Sequence, residues 1–234
     1  SYVKEKERFE VAIDSLSLPL EADVNERFGY FFELAKMVLT GKSKSLFVSG
    51  PGGLGKSYTL DQVVQYLGFS EDIEYIKIKG HTAAFALYKE LEAHKDKVIV
   101  FDDCDDAFKD STSANILKAI LDSYPRRRVS WLSKANSGST YFDFTGSCIF
   151  LSNIPKDKVA DSILSRSLII DLYMTPKEVI ERMEHILPTT QFGTTLTIDE
   201  KIEVLRVLDK YKFTLTNLNI RTLEKALEVF ENTR

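Results

Sequence analysis

The stretch LFVSGPGGLGKSYT, residues 46–59, decides how this chain folds. It opens with an apolar run that is typical of a buried strand, and four glycines then let the backbone turn where side chains would collide. From Lys56 onward, apolar residues recur at helical spacing until Gly68 ends the run. The sequence therefore predicts a strand, a glycine-rich loop and a helix in direct succession.

The same loop matches the pattern G-x-x-x-x-G-K-[ST] at all of its fixed positions. Backbone N–H groups of such a loop converge on phosphate oxygens, and the positive end of the following helix adds to the attraction. We expect Lys56 to reach the β- and γ-phosphates of a nucleotide and the Ser57 hydroxyl to bind Mg²⁺. A merely flexible loop is the alternative interpretation. The predicted nucleotide-binding residues of this segment are Gly50, Pro51, Gly52, Gly53, Leu54, Gly55, Lys56, Ser57 and Tyr58.

Composition is that of a globular protein. With 234 residues, 44% hydrophobic and 28% charged, the chain can bury one core, or one core and a small appendage. The net charge of −4 argues against a uniformly basic surface for nucleic acid, although a local basic patch stays open. Cys104 and Cys148 lack metal-ligand spacing, so we expect reduced thiols in a cytoplasmic protein, or in the host cytoplasm if the source is viral. The sequence contains no apolar run of ~18 residues and no visible signal peptide, which argues against a membrane partner. Because the sequence starts at Ser1 instead of Met, a missing upstream segment stays open.

Strands and helices alternate over most of the chain, which predicts an α/β fold with a mostly parallel sheet buried on both faces. Besides the strand at 46–48, the predicted strands lie at 73–80, 97–103, 147–153 and 167–172, and the predicted helices lie at about 25–40, 56–67, 82–93 and 112–122. After Pro176 three helical runs follow, at about 176–187, 198–210 and 219–231. We therefore predict a nucleotide-binding domain over residues 1–174 and a small helical domain over residues 175–234.

Polar side chains follow two of the predicted strands. VIVFDD, residues 98–103, ends in two carboxylates, and we expect Asp102 to hold the Mg²⁺ shell and Asp103 to polarise an attacking water. The alternative is a solvated acidic turn or a helix cap, and Asp105 and Asp106 are expected on the surface. Asn153 follows the next strand and could orient the water, although Asn-Ile-Pro is also an ordinary turn signal.

Arg166 lies between a short predicted helix and an apolar strand. One interpretation is a cation near a helix C-terminus, which contributes only a few tenths of a kcal/mol. The other is an arginine finger, which stabilises the charge that develops on the γ-phosphate held by a neighbouring subunit.

Taken in chain order, these segments resemble the AAA+ ATPases. GPGGLGKS (50–57) resembles Walker A, VIVFDD (98–103) Walker B, FLSN (150–153) sensor one, LSRS (164–167) the arginine-finger box of clamp loaders, and NIRTLEKAL (219–227) the sensor-two helix. The resemblance implies a P-loop fold with a parallel five-stranded sheet followed by an all-helical lid. It also implies ATP and Mg²⁺ as cofactors, ATP hydrolysis, and a homo-oligomer, typically a ring.

The resemblance also assigns roles to single residues. Lys56, Asp103, Asn153 and Arg166 would be catalytic, and Arg221 would be sensor two, reaching the γ-phosphate from the lid; an exposed arginine at a helix start is the alternative for Arg221. The family usually has Glu where Asp103 stands. Because Asp is one methylene shorter, slow hydrolysis is one expectation, although some members carry Asp here.

An insertion over residues 125–146 separates a predicted helix from the next strand. VSWLS and YFDFT read as two strands of a hairpin, at about 126–146, with its turn near Ser137-Gly138. It resembles the hairpin before sensor one in several AAA+ groups, including viral replicative helicases, where it projects into the central channel. KGHTAAF (79–85) is a second channel candidate, or an ordinary βα turn with Thr82 as N-cap.

The hairpin carries the predicted nucleic-acid contacts, which are Arg126, Arg127, Arg128 and Lys134. Trp131 and Tyr141 could stack on bases. The alternative is that the arginines are solvated and the aromatic rings pack on the sheet.

These features predict an oligomeric ATP-hydrolysing motor or loader that acts on nucleic acid, of the kind found in phages and mobile elements. A protein-remodelling ATPase is the alternative, but it needs an aromatic channel loop, and KGHTAAF is a poor one. A small-molecule kinase is a third possibility; it would need an acceptor pocket and an arginine-bearing lid within the sheet domain, and it leaves the C-terminal helices unexplained. Its protein partners are not predicted.

Overall fold

The structure is a computed structural model that describes residues 22–80, 83–132 and 139–233. The first part runs α1 (Val24–Leu39), β1 (Ser45–Ser49), α2 (Lys56–Leu67), β2 (Tyr75–Lys79), α3 (Ala84–Ala93), β3 (Val98–Asp102), α4 (Ser111–Ile120), β4 (Arg127–Leu132), β5 (Ser139–Phe144), β6 (Ser147–Ser152), α5 (Asp161–Leu164) and β7 (Leu168–Asp171). The C-terminal helices are α6 (Pro176–Ile186), α7 (Ile198–Tyr211) and α8 (Ile220–Thr233). Within these described ranges, none of the helices has the length and apolar character that a bilayer crossing requires.

The predicted α/β fold is confirmed. In the described residues, five strands form one parallel sheet in the order β2-β3-β6-β1-β7. The register pairs Ser49 with Ser152 and Asp102 with Leu151, so the carboxyl ends of β1, β3 and β6 meet at one edge. Loops that follow parallel strands collect at that edge, which is where α/β folds bind ligands.

The strands are buried on both faces because their alternate residues pack in opposite directions. Phe47, Phe101 and Phe150 belong to a cluster with α3, α4 and the hairpin, and the rings of Phe101 and Phe150 stack at 4.8 Å. Leu46 and Val100 belong to the opposite cluster, with α1 and α2. This double burial explains why the strands read as continuous apolar runs.

The predicted hairpin forms as an antiparallel pair of β4 and β5, with Val129 opposite Phe142. The predicted turn at Ser137-Gly138, and Lys134 at the predicted tip, lie outside the described residues. The loop after β2 is described up to Gly80, and α3 begins after Ala83, which is its N-cap in place of the predicted Thr82.

The C-terminal helices pack around an apolar cluster of their own. Capping boxes start α6 at Thr175 and α7 at Thr197, which sets where both helices begin. Leu54, from the glycine loop, is buried in the same cluster. The loop is thereby anchored to helices that lie more than 120 residues later in the chain. The predicted domain boundary falls in the segment 172–175 that links β7 to α6.

Candidate nucleotide-binding site

The glycine loop joins β1 to the N-terminus of α2, as the motif predicts. Gly53 and Gly55 have φ angles of 80° and 90°, in the left-handed region that favours glycine. A Cβ on Gly53 would also lie 2.9 Å from the side chain of Asn219, so close approach excludes larger residues there. Among the described residues no side chain caps α2, so the N–H groups of its first turn are free to bind an anion.

A cleft of about 290 Å³ opens beside this helix start, between the polar edge of the sheet and the C-terminal helices. Residues of the loop, of β3 and of the segment after β6 line one side, and residues of α6, α8 and the α6–α7 loop line the other. The lining residues are Gly52, Gly53, Gly55, Lys56, Ser57, Tyr58, Asp102, Asp103, Asn153, Arg182, Ile186, Thr190, Phe192, Ile220, Arg221 and Glu224.

Lys56 is the first residue of α2 and is buried, with 6% of its surface exposed. Its Nζ donates to the carbonyl oxygens of Gly50 and Pro51 and, at 2.7 Å, to Oδ1 of Asn153. Burial lowers the pKa of Lys56 to about 8, and nearby carboxylates, Asp103 first, oppose that shift. An anion beside Nζ would favour the charged ammonium, so the lysine is suited to hold a phosphate.

Ser57 and Asp102 lie side by side at the edge of the sheet. The Ser57 hydroxyl lies 3.1 Å from both carboxylate oxygens of Asp102, the last residue of β3. Asp102 is buried, and both side chains line the cleft. A hydroxyl and a carboxylate are oxygen ligands of the kind that Mg²⁺ prefers, and Mg²⁺ usually takes its remaining ligands from water and substrate phosphates.

Asp103 and Asn153 face each other at the same edge. The Asn153 amide donates from Nδ2 to Oδ1 of Asp103 at 2.5 Å, while its Oδ1 accepts from Lys56. Asp103 is exposed and has a φ angle of 58°, which is unusual for a residue other than glycine. One amide thus joins the buried lysine to the exposed carboxylate.

Asp105 is a site residue that the sequence reasoning wrongly assigned to the surface. It is partly buried, and its carboxylate accepts from the Ser152 hydroxyl at 2.6 Å and from the backbone N–H of Asn153 at 3.1 Å. Asp105 therefore fixes the end of β6 and the backbone from which the Asn153 amide projects. Asp106 is exposed, as expected, and pairs with Lys109.

Arg221 lies in the first turn of α8 and lines the cleft. The start of α8 is docked on the glycine loop, because the N–H of Ile220 donates to the carbonyl oxygen of Gly53 at 3.0 Å. The contact brings a cation from the C-terminal helices to the phosphate loop.

Arg166 lies at the opposite edge of the sheet. Its neighbour Ser167 contacts Ser45 between their hydroxyl oxygens at 2.9 Å, and Ser45 begins β1, whereas the glycine loop follows the end of β1. The strand alone separates the two edges by roughly 13 Å, at about 3.3 Å per residue. Arg166 is exposed and lies outside the cleft.

The prediction that Arg127 contacts nucleic acid is wrong, because its side chain is buried. Its guanidinium donates to the carbonyl oxygens of Ile120 and Gly146, both at 2.8 Å, and so joins α4 to the end of the hairpin. Arg126 and Arg128 are on the outside. Trp131 packs on Tyr88 and Phe85 at ring distances of 5.7 and 5.2 Å, as its alternative interpretation proposed.

Arg126 and Arg128 share one counterion. Both donate to the carboxylate of Asp143 on β5, at 2.8 and 3.1 Å. The Arg128 guanidinium also lies 4.0 Å from the ring centroid of Tyr141, which is 56% exposed. The outer face of the hairpin therefore carries two partly neutralised cations and one accessible aromatic ring.

Phe192 and Arg182 are cleft residues that sequence reasoning missed. Phe192 has a φ angle of 56°, and buried Lys201 holds its loop by donating to the carbonyl oxygens of Thr190 and Gln191. The glycine in the loop PTTQFGTT was the one available signal, since glycine readily adopts left-handed backbone and so marks a turn at this point. Arg182 packs its guanidinium 3.9 Å from the ring centroid of Phe28, and burial lowers its pKa to about 10.

Known proteins resemble this chain to different degrees. No family model matches the chain. It is 27% identical over 230 residues to an uncharacterised 36.7 kDa protein of Enterobacteria phage T4 from the nrdC–mobD intergenic region, with 89% of this chain and 69% of that protein covered. A Thermotoga maritima RuvB with an arginine-to-alanine substitution gives a TM-score of 0.44 at 14% identity, covering 88% of this chain and 68% of that one.

A solved DNA replication initiation factor superposes with a TM-score of 0.50 at 15% identity. The alignment covers 93% of this chain and 64% of that chain, so this protein spans a little under two thirds of its length. The strand order, the glycine loop and the helices that follow the sheet give this chain the AAA+ fold.

Proposed function

We propose that this protein is an AAA+ ATPase that acts as a homo-oligomer on nucleic acid, with each catalytic centre built from two subunits. The observation that carries the proposal is the convergence of Lys56, Ser57, Asp102 and Asn153 on one cleft, with an exposed arginine on the far edge of the sheet.

Nucleotide binding is supported by three sources of positive potential. The uncapped N-terminus of α2 offers backbone N–H groups, Lys56 lies beside them, and Arg221 approaches from α8. Ser57 and Asp102 would hold Mg²⁺, which when bound neutralises phosphate charge. The apolar side chains that the C-terminal helices add to the cleft offer a surface on which the base of a nucleotide could pack.

Water activation is assigned to Asp103, with Asn153 orienting it. The carboxylate is exposed beside the cleft and already accepts a hydrogen bond from the amide. Because Asp is shorter than the Glu that usually stands here, its oxygen reaches less far toward a water at the γ-phosphate. We expect slow basal hydrolysis for that reason.

Arg166 is assigned to the neighbouring subunit's centre. It lies roughly 13 Å or more from its own phosphate loop by strand geometry alone, which exceeds the reach of an arginine side chain. An exposed cation on that edge is available to a second copy of the chain. Arginine fingers supplied in this way contribute large factors to the rate of phosphoryl transfer.

Nucleic acid is proposed as the substrate on the strength of the hairpin and of the fold. The outer face carries Arg126, Arg128 and the accessible ring of Tyr141, a combination that can bind phosphate and stack on a base. The solved structure that shares this fold is a DNA replication initiation factor. Because Asp143 neutralises part of the arginine charge, we expect moderate, salt-sensitive affinity.

The test is the ATPase rate against protein concentration, with and without single-stranded DNA. A shared centre predicts a specific rate that rises with concentration and with DNA. Arg166→Ala should bind ATP and hydrolyse little, whereas Arg206→Ala, a matched exposed arginine on α7, should retain the rate.

Mixing variants separates action within a subunit from action between subunits. Asp103→Asn and Arg166→Ala should each be inactive alone and regain part of the rate when mixed, because some interfaces then join an intact cleft to an intact arginine. A full specific rate from a strict monomer, or no recovery in demonstrably mixed oligomers, would contradict the shared centre.

A further inference from the structure

Tyr173 lies in the segment 172–175, between the sheet and the C-terminal helices. Its hydroxyl donates to the carbonyl oxygen of Asn153 at 3.1 Å. The N–H of Asn153 donates to Asp105, so the backbone of Asn153 is held by side chains on both sides. The Asn153 amide is left to contact Lys56 and Asp103.

The backbone of Tyr173 makes a second contact, which leads to the start of α6. Its carbonyl oxygen accepts from Nη1 of Arg27 at 2.8 Å, and Nη2 of the same guanidinium pairs with Glu178. Glu178 belongs to the first turn of α6 and also accepts from the N–H of Thr175 at 2.7 Å. Arg27 is 4% exposed, so the arginine of this ion pair is buried beneath the start of α6.

We propose that Tyr173 is a positioning residue that couples Asn153 to the orientation of α6 and the C-terminal helices. The inference rests on the proposed function, because it requires a nucleotide in the cleft. A γ-phosphate would compete for Lys56 and for the Asn153 amide and so shift the Asn153 peptide. The Tyr173 hydroxyl would carry that shift to the backbone of Tyr173, whose carbonyl oxygen accepts from Arg27 of the Arg27–Glu178 ion pair.

Tyr173→Phe is the matched perturbation, since it removes one hydroxyl and keeps the ring. The orientation of α8 relative to the sheet is measured by energy transfer between dyes on Asp96→Cys and Glu228→Cys, both exposed positions. Cys104 and Cys148 are buried, and burial raises the pKa of both thiols, so they should resist labelling.

In the full chain with Tyr173 intact, the transfer should differ between saturating ADP and saturating non-hydrolysable ATP analogue. In Tyr173→Phe the equilibrium between the two orientations should move by about two- to tenfold, the factor that one neutral hydrogen bond contributes. By reciprocity, the preference for the ATP analogue over ADP should change by the same factor. Adding Glu178→Gln should have a less than additive effect, because both changes act on one connection.

Tyr211→Phe on α7, a tyrosine of similar exposure, should leave both readouts unchanged. A Tyr173→Phe protein with the original transfer difference and the original ATP-to-ADP preference would overturn the coupling. So would a parent chain whose transfer ignores the bound nucleotide, although its measured binding would leave the proposed ATPase standing. A parent chain that binds neither nucleotide would refute the proposed function itself.

Discussion

Nucleotide binding should transfer a proton to Lys56 at mildly alkaline pH. Burial lowers the pKa of this amine to about 8, so near pH 8 about half of the free protein carries it neutral. Triphosphate oxygens beside Nζ favour the ammonium and return the pKa toward its ordinary value or above it. Because the last phosphate proton dissociates near pH ~6, about a tenth of the ligand is protonated at pH 7, and almost none of it at pH 8 and pH 9.

The magnitude follows from these values. On binding, Lys56 should take up about 0.1 proton at pH 7, about half a proton at pH 8 and about 0.9 at pH 9. The sign is set by the lowered pKa in the free protein: affinity is greatest below the pKa, where the lysine is already charged, and declines above it. Between pH 7 and pH 9 the dissociation constant for ATP should therefore increase about tenfold.

Calorimetry at pH 8 in two buffers of different ionisation enthalpy measures the proton uptake, and titrations at pH 7, 8 and 9 measure the affinity. Adenosine, which lacks phosphates, is the matched ligand and should show no uptake. A dissociation constant that stays flat from pH 7 to pH 9, in protein shown to be folded throughout, would refute the reasoning.

Three further predictions concern other contacts. Phe192→Ala should weaken the binding of ATP by about tenfold or more and leave the binding of tripolyphosphate unchanged in competition titrations, because only ATP has a base that can stack on the ring. Equal losses of affinity for the two ligands would contradict a contact between Phe192 and the base. Asp143→Asn should release Arg126 and Arg128 from their shared carboxylate. The affinity for single-stranded DNA should then rise, and the slope of log affinity against log salt concentration should steepen by about one unit. An unchanged slope would show that these arginines do not contact the DNA. Asp103→Glu should raise the steady-state ATPase rate at unchanged ATP affinity, and a lower rate would show that reach is not what limits the aspartate.

The sheet and the phosphate loop could be predicted because their signals are local in sequence. A strand that is buried on both faces must be apolar throughout, and the turn after β1 needs glycine where the backbone is left-handed, at Gly53 and Gly55. Both requirements are visible as short segments of the amino-acid sequence. The acidic residues at the end of β3 and the amide after β6 could be placed for the same reason, since carboxyl ends of parallel strands share an edge.

Residues whose role depends on distant partners could not be predicted. Asp105 is an ordinary acid in an acidic turn until β6 brings Ser152 beside it, 47 residues later in the chain. Arg127 sits in a row of arginines that reads as a basic patch, and its burial depends on the carbonyl oxygens of Ile120 and Gly146. In both cases the satisfaction of buried polar atoms decides the role, and no pattern of spacing records it.

The hydrogen bonds of Asn153 connect the steps of the proposed cycle. Its amide oxygen accepts from Lys56 and its amide nitrogen donates to Asp103, while its backbone is held by Asp105 and Tyr173. A phosphate that takes over the lysine would remove one of the two bonds that orient the amide, so we expect Asp103 to move when nucleotide binds. The carbonyl oxygen of Asn153 is also linked through Tyr173 to the Arg27–Glu178 ion pair under α6. In the proposed cycle a single asparagine would therefore connect phosphate binding, activation of water and the orientation of the C-terminal helices.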